Sequence, residues 1–573
     1  MLAMYVNRIA KARVPRARRL DRTPDRRDVT KEMNRFLACS IAISLCGVTS
    51  RAQDVRALYR IGSEHDVRTR LSAIYGDSVA MSGYLMRSAS SLTRLVTDSS
   101  GRARFSLLQF DALATSNSQL PFAGNDGAMW AGRGISVSVT GGIGLSWHRL
   151  RAIVAPTIWR ASNRDFSVPT DPELVPTIPL PRSPWSSPYH WYSRSLDLPR
   201  RFGSSTLLAV DLGQSSVWFN WDRVAVGLSN EQQWWGPGLQ NALLMSNNAA
   251  GFGHFFIRTP RPLQSSAGAF EASYLLGTLT ASPFFESGAT TNPARSISAA
   301  AVTFAPRRVF GLTVGVSRLV LASMDARTDV WGHVLDILRS VPTPNDRPYQ
   351  DPTQIRGKDQ LFSLFSRWVF PEDRAEVWAE WGRADQPESL SDFATSPGHS
   401  QAYTIGAQAT KEVSERWSLL AQFEHTKTQQ SGTFRERPSG SWYTSRAVLQ
   451  GFTQRGQILG AAVGPGANSQ WLALDLRDSR ASVGAFAGRI RWDDDALYTI
   501  PRPNGNGLCK HDVSLFLGAR SSLRTSRMEL SGMINAQHRL NAFFGSTGLC
   551  FIDEQRSDRH NLTFTFSVGP RFR

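Results

Sequence analysis

The densest chemistry in the chain lies between Asn230 and Ala249, which read NEQQWWGPGLQNALLMSNNA. Asn230, Glu231, Gln232, Gln233, Asn241, Ser246, Asn247 and Asn248 supply amides, a hydroxyl and a carboxylate, a donor and acceptor set that matches sugar hydroxyls. Trp234 and Trp235 offer flat indole faces to the C–H side of a sugar ring, and Gly236-Pro237-Gly238 after them is a sharp-turn sequence. The same residues read equally well as packing, with the indoles filling an interior and the amides satisfying the loop's own backbone. Bond-breaking chemistry has no such signal. HExxH, GxSxG, CxxC, a P-loop and a dinucleotide fingerprint are all missing, so no catalytic residue, cofactor or metal centre is expected. Asp493-Asp494-Asp495 has the ligand type for a hard cation, but its place after a strand ending at Trp492 reads better as a solvated turn.

The elements around this segment have a strict period of two. Ile135, Val137, Val139, Ile143, Leu145 and Trp147 share one parity, and Ser136, Ser138, Thr140, Gly142, Gly144 and Ser146 the other. Such a run is longer than the roughly 5–6 residues of an ordinary strand and suits a tilted membrane crossing. The pattern returns at 312–317, 376–381 and 417–424. It is clearest near the end, where Met528, Leu530, Ile534 and Ala536, then Leu562, Phe564, Phe566, Val568 and Phe572, alternate with polar residues. The mean hydropathy of −0.26 fits a barrel, because only alternate residues face lipid. No run of about 20 apolar residues offers a spanning helix. The 17 Trp suit the aromatic girdles of such a barrel. The fold class expected is an all-β transmembrane antiparallel β-barrel with a small N-terminal helical region.

Export is written ahead of the strands. Phe36 to Val48 is a short apolar run after Arg35, followed by Ser50-Arg51-Ala52, the layout of a cleaved signal peptide. Residues 1–32 then read as an over-called start, 33–52 as the signal peptide, 53–102 as the helical region and 103–573 as the barrel, with Gln53 as the mature start. Residues 1–52 hold 12 Lys and Arg and 4 Asp and Glu, so without them the net charge falls from +18 to +10. That mild excess suits lipopolysaccharide phosphates or an acidic glycan, and no basic module points to nucleic acid. Ser63-Glu64-His65-Asp66 opens a helix carrying Val67, Leu71 and Ile74 on one face, and a second helical stretch is expected over Tyr84–Leu95. A loop helix is expected over 328–341, packed on the barrel mouth or on the N-terminal helices.

Gln232, Trp234-Trp235-Gly236-Pro237-Gly238 and Ser246-Asn247-Asn248-Ala249 together resemble the Wzi-type capsule-assembly family of outer-membrane proteins, whose QxWWGPG and SNNA elements they match in order and spacing. Asp211-Leu212-Gly213-Gln214-Ser215, Arg258, Asp359-Gln360-Leu361, Glu380-Trp381 and 451–470 look like that family's flanking segments, and the likeness covers about 120–573. The resemblance implies a barrel of about 18 strands with helices near its periplasmic end, placed in the outer membrane. It implies a non-enzymatic, lectin-like role in binding or organising capsular polysaccharide or exopolysaccharide. Its candidate site is Glu231, Gln232, Gln233, Trp234, Trp235, Asn247, Asn248 and Arg258. A porin or transporter would show the same alternation without a plugged lumen. An outer-membrane hydrolase would need facing carboxylates, for which Glu231, Glu376 and Glu380 are available.

Cys39 and Cys46 leave with the signal, which isolates Cys509 and Cys550. If the C-terminus is periplasmic, the last strand (about 561–572) descends and the one before it (about 527–544) ascends. The strand near 513–519 descends again before a turn at 521–526. Both thiols then sit on extracellular loops flanking one hairpin, on the oxidising side, within reach of a bridge. Protein taken from the outer membrane should begin at Gln53 and carry a Cys509–Cys550 disulfide. N-terminal sequencing and thiol titration check both, and retained residues 1–32 or two free thiols would refute them.

Overall fold

The computed structural model describes residues 54–571 except 77–83, 97–100, 123, 168–201, 204, 283–293, 342–356, 388, 436–438, 446, 449, 500–509 and 550–552. The alternating segments form one antiparallel sheet that closes on itself as an 18-strand barrel. Closure is made by the last strand, Arg559–Pro570, which pairs through Thr563–Val568 with Ala112–Asn117 of the first long strand, Arg104–Asn117. Turns such as 148–149, 478–480 and 525–527 are short at one end, and the longer connections lie at the other. The last strand runs down to the short-turn end, the periplasmic end of such barrels.

The period of two sorts chemistry across the wall. In Gly134–Trp147, Ile135, Ile143 and Trp147 are exposed on the outer face, while Ser136, Ser138 and Ser146 are buried inside. Leu472, Leu474 and Leu476 repeat this on Asn468–Arg477, exposed beside buried Trp471, Ala473 and Asp475. An apolar band of this extent has lipid as its natural solvent. Small inward side chains leave room for chain inside the wall.

That room is filled from three directions. The N-terminal segment first joins the wall: Asp54–Ala57 runs parallel to Ser106–Gln109, below the stretch where the last strand pairs. The chain then turns inward. Ser63 caps the helix Glu64–Ile74 by accepting from the Asp66 N–H at 3.2 Å, as expected. Leu71 and Ile74 of that helix pack with partly buried Val67 against inward-facing Val369 and Leu420. The segment 230–253 crosses the lumen between two short wall strands, Ala225–Ser229 and His254–Arg258. The extracellular connection 428–467 descends onto it.

Four expectations are corrected. Tyr84–Leu95 is not a second helix: Met86–Ser88 is extended because it pairs with Gln233–Trp235, and only Ala89–Leu92 turns helical. The 328–341 loop forms two 3₁₀ turns, Arg327–His333 and Asp336–Leu338. They pack against neither the mouth nor the N-terminal helix. Ile337 and Val341 sit on the outer wall against Val320, Tyr274 and Ala300. Asp493-Asp494-Asp495 is buried rather than solvated, with Asp494 paired to Arg491 and to His511 (2.7 Å). The strand expected over 527–544 ends at Leu540, followed by a 3₁₀ turn at Ala542–Phe544, and its neighbour runs over Asp512–Arg524. These strands keep the expected directions, while Cys509 and Cys550 themselves lie outside the described residues.

Leu474→Arg, at the middle of the outward face, should weaken refolding into lipid vesicles by about 2–4 kcal/mol, read from urea titrations. An unchanged midpoint would mean that this face does not meet lipid.

Candidate functional site

The motif segment is held by carboxylates reaching in from the wall. Alternation places Glu376 and Glu380 inward on Ala375–Arg383, and Glu424 inward on Ser418–Lys427. Glu424 accepts the backbone N–H groups of Leu239, Gln240 and Asn241 at 2.5, 3.0 and 2.9 Å. Glu380 accepts from the Leu243 N–H at 3.1 Å. Glu376 binds Arg70 of the plug helix at 2.6 Å, Arg367 Nε at 2.8 Å and Gln408 at 2.9 Å. Arg70 completes the link, donating to the Pro237 carbonyl at 2.5 Å while its guanidinium lies 4.6 Å from the Trp378 ring.

The Gly-Pro-Gly turn is dictated by this crowding. Gly236 has φ +128°, and a Cβ there would lie 2.7 Å from Glu380 Oε2; a Cβ on Gly238 would lie 1.8 Å from the Asn241 carbonyl oxygen.

All eight residues selected from the sequence converge on this interior, and the side chains of Glu231, Gln232, Asn247, Asn248 and Arg258 bond other parts of the chain. Trp235 is fully buried in the main core beside Leu243, Met245 and Trp442. Its backbone N–H donates to Met245 O at 3.1 Å, and the next backbone N–H, of Gly236, reaches Leu85 O at 2.9 Å. Trp234 packs with Tyr59, Ile61, Ala242 and Leu92, its ring 5.0 Å from the Arg87 guanidinium. Glu231 accepts from the N–H and hydroxyl of Ser90, both at 2.6 Å, and faces Arg258 at 3.5 Å. Arg258 in turn donates to Ser88 and Ser90. Gln232 bonds Gln214 and the Ala249 carbonyl. Asn247 donates to Ile61 O and Asn125 O, and Asn248 to Ile458 O. Gln232, Gln233, Asn248 and Arg258 are half-buried, whereas the two indoles, Glu231 and Asn247 are sealed.

Residues that the sequence did not single out complete the anchor. Asp66 is buried and accepts from Tyr59, Tyr84, the Gly62 N–H (2.7 Å) and Arg87 (3.0 Å). Burial alone would raise its pKa, but Arg87, the two phenols and the Gly62 N–H outweigh it and hold the carboxyl below its ordinary value. Burial lowers neighbouring His65 to about 4, so that imidazole is neutral. Asp66 had a sequence signal only as part of a helix start. Glu424 was legible as inward parity, not as an anchor, and Arg367 had no sequence signal.

The family model described as capsule assembly protein Wzi matches residues 59–475, a span that takes in the helix, the motif and all three anchoring glutamates. The chain belongs to this family. Among solved structures it is similar to the Escherichia coli outer-membrane protein Wzi, described as involved in group 1 capsule assembly and as a carbohydrate-binding β-barrel. Identity is 10% over 80% of this chain and 83% of that one, with a TM-score of 0.48. It is also similar to the outer-membrane channel DcaP of Acinetobacter baumannii (8% identity, 82% and 99% covered, TM-score 0.29) and to an anion-selective porin of Comamonas acidovorans (9%, 82% and 100%, 0.29). No curated protein sequence matches. In this Wzi-family barrel, an outer-membrane protein, the family motif is the part of the plug to which the wall and the N-terminus are both fastened.

Asp66→Asn keeps the shape and removes the charge that Arg87 answers, so it should loosen the plug by about 3–5 kcal/mol. Because the folded-state pKa is depressed, the carboxylate's contribution is full above the ordinary value of 3.8 and is lost as pH falls through the folded pKa. Hydrogen exchange of the helix Glu64–Ile74 should therefore quicken in the variant at pH 7. It should also quicken in the native protein on acidification below about pH 4, the ordinary range of an aspartate. Unchanged protection in the variant would remove Asp66 from the anchor.

Proposed function

We propose that this Wzi-family protein binds and organises a surface polysaccharide from the extracellular side of a plugged barrel, without catalysis. One observation carries the reading: the family motif and the N-terminal segment occupy the lumen, with Trp234, Trp235 and Glu231 sealed among them. A porin needs that lumen open. A hydrolase needs carboxylates facing a substrate, whereas Glu231, Glu380 and Glu424 each bind plug groups.

The amphipathic signature then divides into two layers. The indoles shape the site from beneath. The polar groups above them meet the extracellular connections: Asn248 accepts from the Asn125 N–H at 3.4 Å, and Asn125 Nδ2 donates to Gln240 O at 2.8 Å. Asn125 belongs to the connection 118–133, at the long-loop end of the wall. This half-buried set of amides, Gln232, Asn248 and Asn125, is the candidate contact surface for sugar hydroxyls, acidic polymers included.

Purified protein in planar bilayers should show no porin-sized conductance and should retain the host's own surface polymer in a pull-down. Asn125→Ala with Asn248→Ala should reduce retention about tenfold while heat-modifiable mobility persists. Steady open-channel conductance, or full retention by folded variants of Trp234, Trp235 and this amide pair, would overturn the reading.

A further inference from the structure

The outer wall carries a second organised surface, on its extracellular rim. Cross-strand register aligns three successive outward rows over the same six strands. The lowest is Val377, Ala407, Phe423, Leu472, Ala487 and Leu517. Every member is apolar, and Leu472 and Leu517 are each more than half exposed. Two residues higher the row is Ala379, Ile405, His425, Gln470, Arg489 and Leu515. Two higher again it is Trp381, Tyr403, Lys427, Asn468, Arg491 and Val513. The wall passes from hydrocarbon-like to cationic within two register steps, and Trp381 and Tyr403 stand at the height where girdle aromatics meet an interface.

The cations in these rows are not equivalent. Arg491 pairs with the buried carboxylate of Asp494, which also bonds His511 just beyond the rows. Lys427 and Arg489 have no carboxylate in contact within 4.0 Å among the described residues, and only the longer-range fields of Asp495 on Lys427 and of Asp494 on Arg489 reach them. Among the described residues Arg489 donates to the Gln470 side-chain Oε1, at 3.4 Å. Strand spacing puts the Lys427 and Arg489 Cα atoms two strands and two residues apart, about 12 Å, so their long side chains can converge on one group. Gln470, Asn468, His425 and Tyr403 lie between and beside them, linked to one another by Gln470–Asn468, Gln470–His425 and His425–Tyr403 hydrogen bonds.

We propose that this rim binds the phosphate-bearing headgroup of an outer-leaflet glycolipid. Lys427 and Arg489 hold the phosphate, and the acyl chains run down the column of Leu472, Leu474, Leu515 and Leu517. Charge complementarity selects an anion. Continuity with lipid-exposed leucines selects an anion carried on acyl chains over a soluble polymer. The site is on the outside of the wall, separate from the plug and from the polysaccharide reading above.

The test uses the full-length mature protein in detergent, with bisphosphorylated lipid A as probe and its dephosphorylated form as comparison, affinities being read by thermophoresis. The native protein should prefer the phosphorylated lipid by about tenfold or more, and 0.5 M salt should erode that preference. Lys427→Gln with Arg489→Gln should abolish most of it. Arg307→Gln with Arg308→Gln, which removes the same charge from an exposed turn at the periplasmic end, should leave it intact and also controls for folding. Equal affinity for both lipids, an unaffected rim variant, or an equal loss in the two double variants would each overturn the proposal. So would a soluble polyuronate that competes as well as lipid A.

Discussion

Everything inside this molecule answers to one constraint: a barrel of this circumference encloses more space than its own inward side chains can fill. Chain must enter, and entering chain brings backbone N–H and C=O groups that cannot be left unpaired away from water. The wall meets this by presenting carboxylates. Glu424 collects three successive N–H groups, Glu380 takes a fourth, and Glu376 gathers two guanidiniums, one of which bonds the Gly-Pro-Gly carbonyl. The motif therefore looks the way it does because it crosses a lumen. Two glycines sit where a side chain would strike the wall or its own turn. Two indoles supply bulk, and amides cross-link three sequence-distant segments.

That division explains how much of the protein could be read in advance. Strands such as Gly134–Trp147 were legible because outward and inward demands alternate residue by residue, and no helix tolerates that pattern. Inward parity also identified Glu376 and Glu380. Their partners were beyond reach, because register and plug path decide whom an inward carboxylate meets. Met86–Ser88 is extended only because Gln233–Trp235 lies beside it, a pairing across more than a hundred residues that no local propensity encodes. The 327–338 turns keep a helix-like apolar spacing, but spacing does not tell which surface of the sheet they will cover. Asp493-Asp494-Asp495 looked solvated because charge usually is. Arg491 and His511, brought alongside by register, make its burial tolerable.

The candidate site was legible as composition and not as orientation. The eight residues do gather in space, with most of their side-chain bonds made inside the chain, and in the function proposed above contact with sugar is assigned to the half-buried amides among and beside them. The two indoles of the motif build the plug, one in the main core and one beside the N-terminal segment. On the outside of the wall, the informative cations are the two with no carboxylate in contact among the described residues, Lys427 and Arg489.

The seam between the first and last long strands bears on how the molecule comes to exist. Asp54–Ala57 completes the wall beside Ser106–Gln109, and within a few residues the same chain becomes the plug helix. The plug and the closing edge are thus one continuous thread. The last strand closes on Ala112–Asn117 directly, and the thread adds its own ladder just below, at Ser106–Gln109, so pulling the whole thread out would mean breaking those strand hydrogen bonds. Removal of the plug with its thread thus carries the cost of strand hydrogen bonds in addition to that of the anchors inside the lumen.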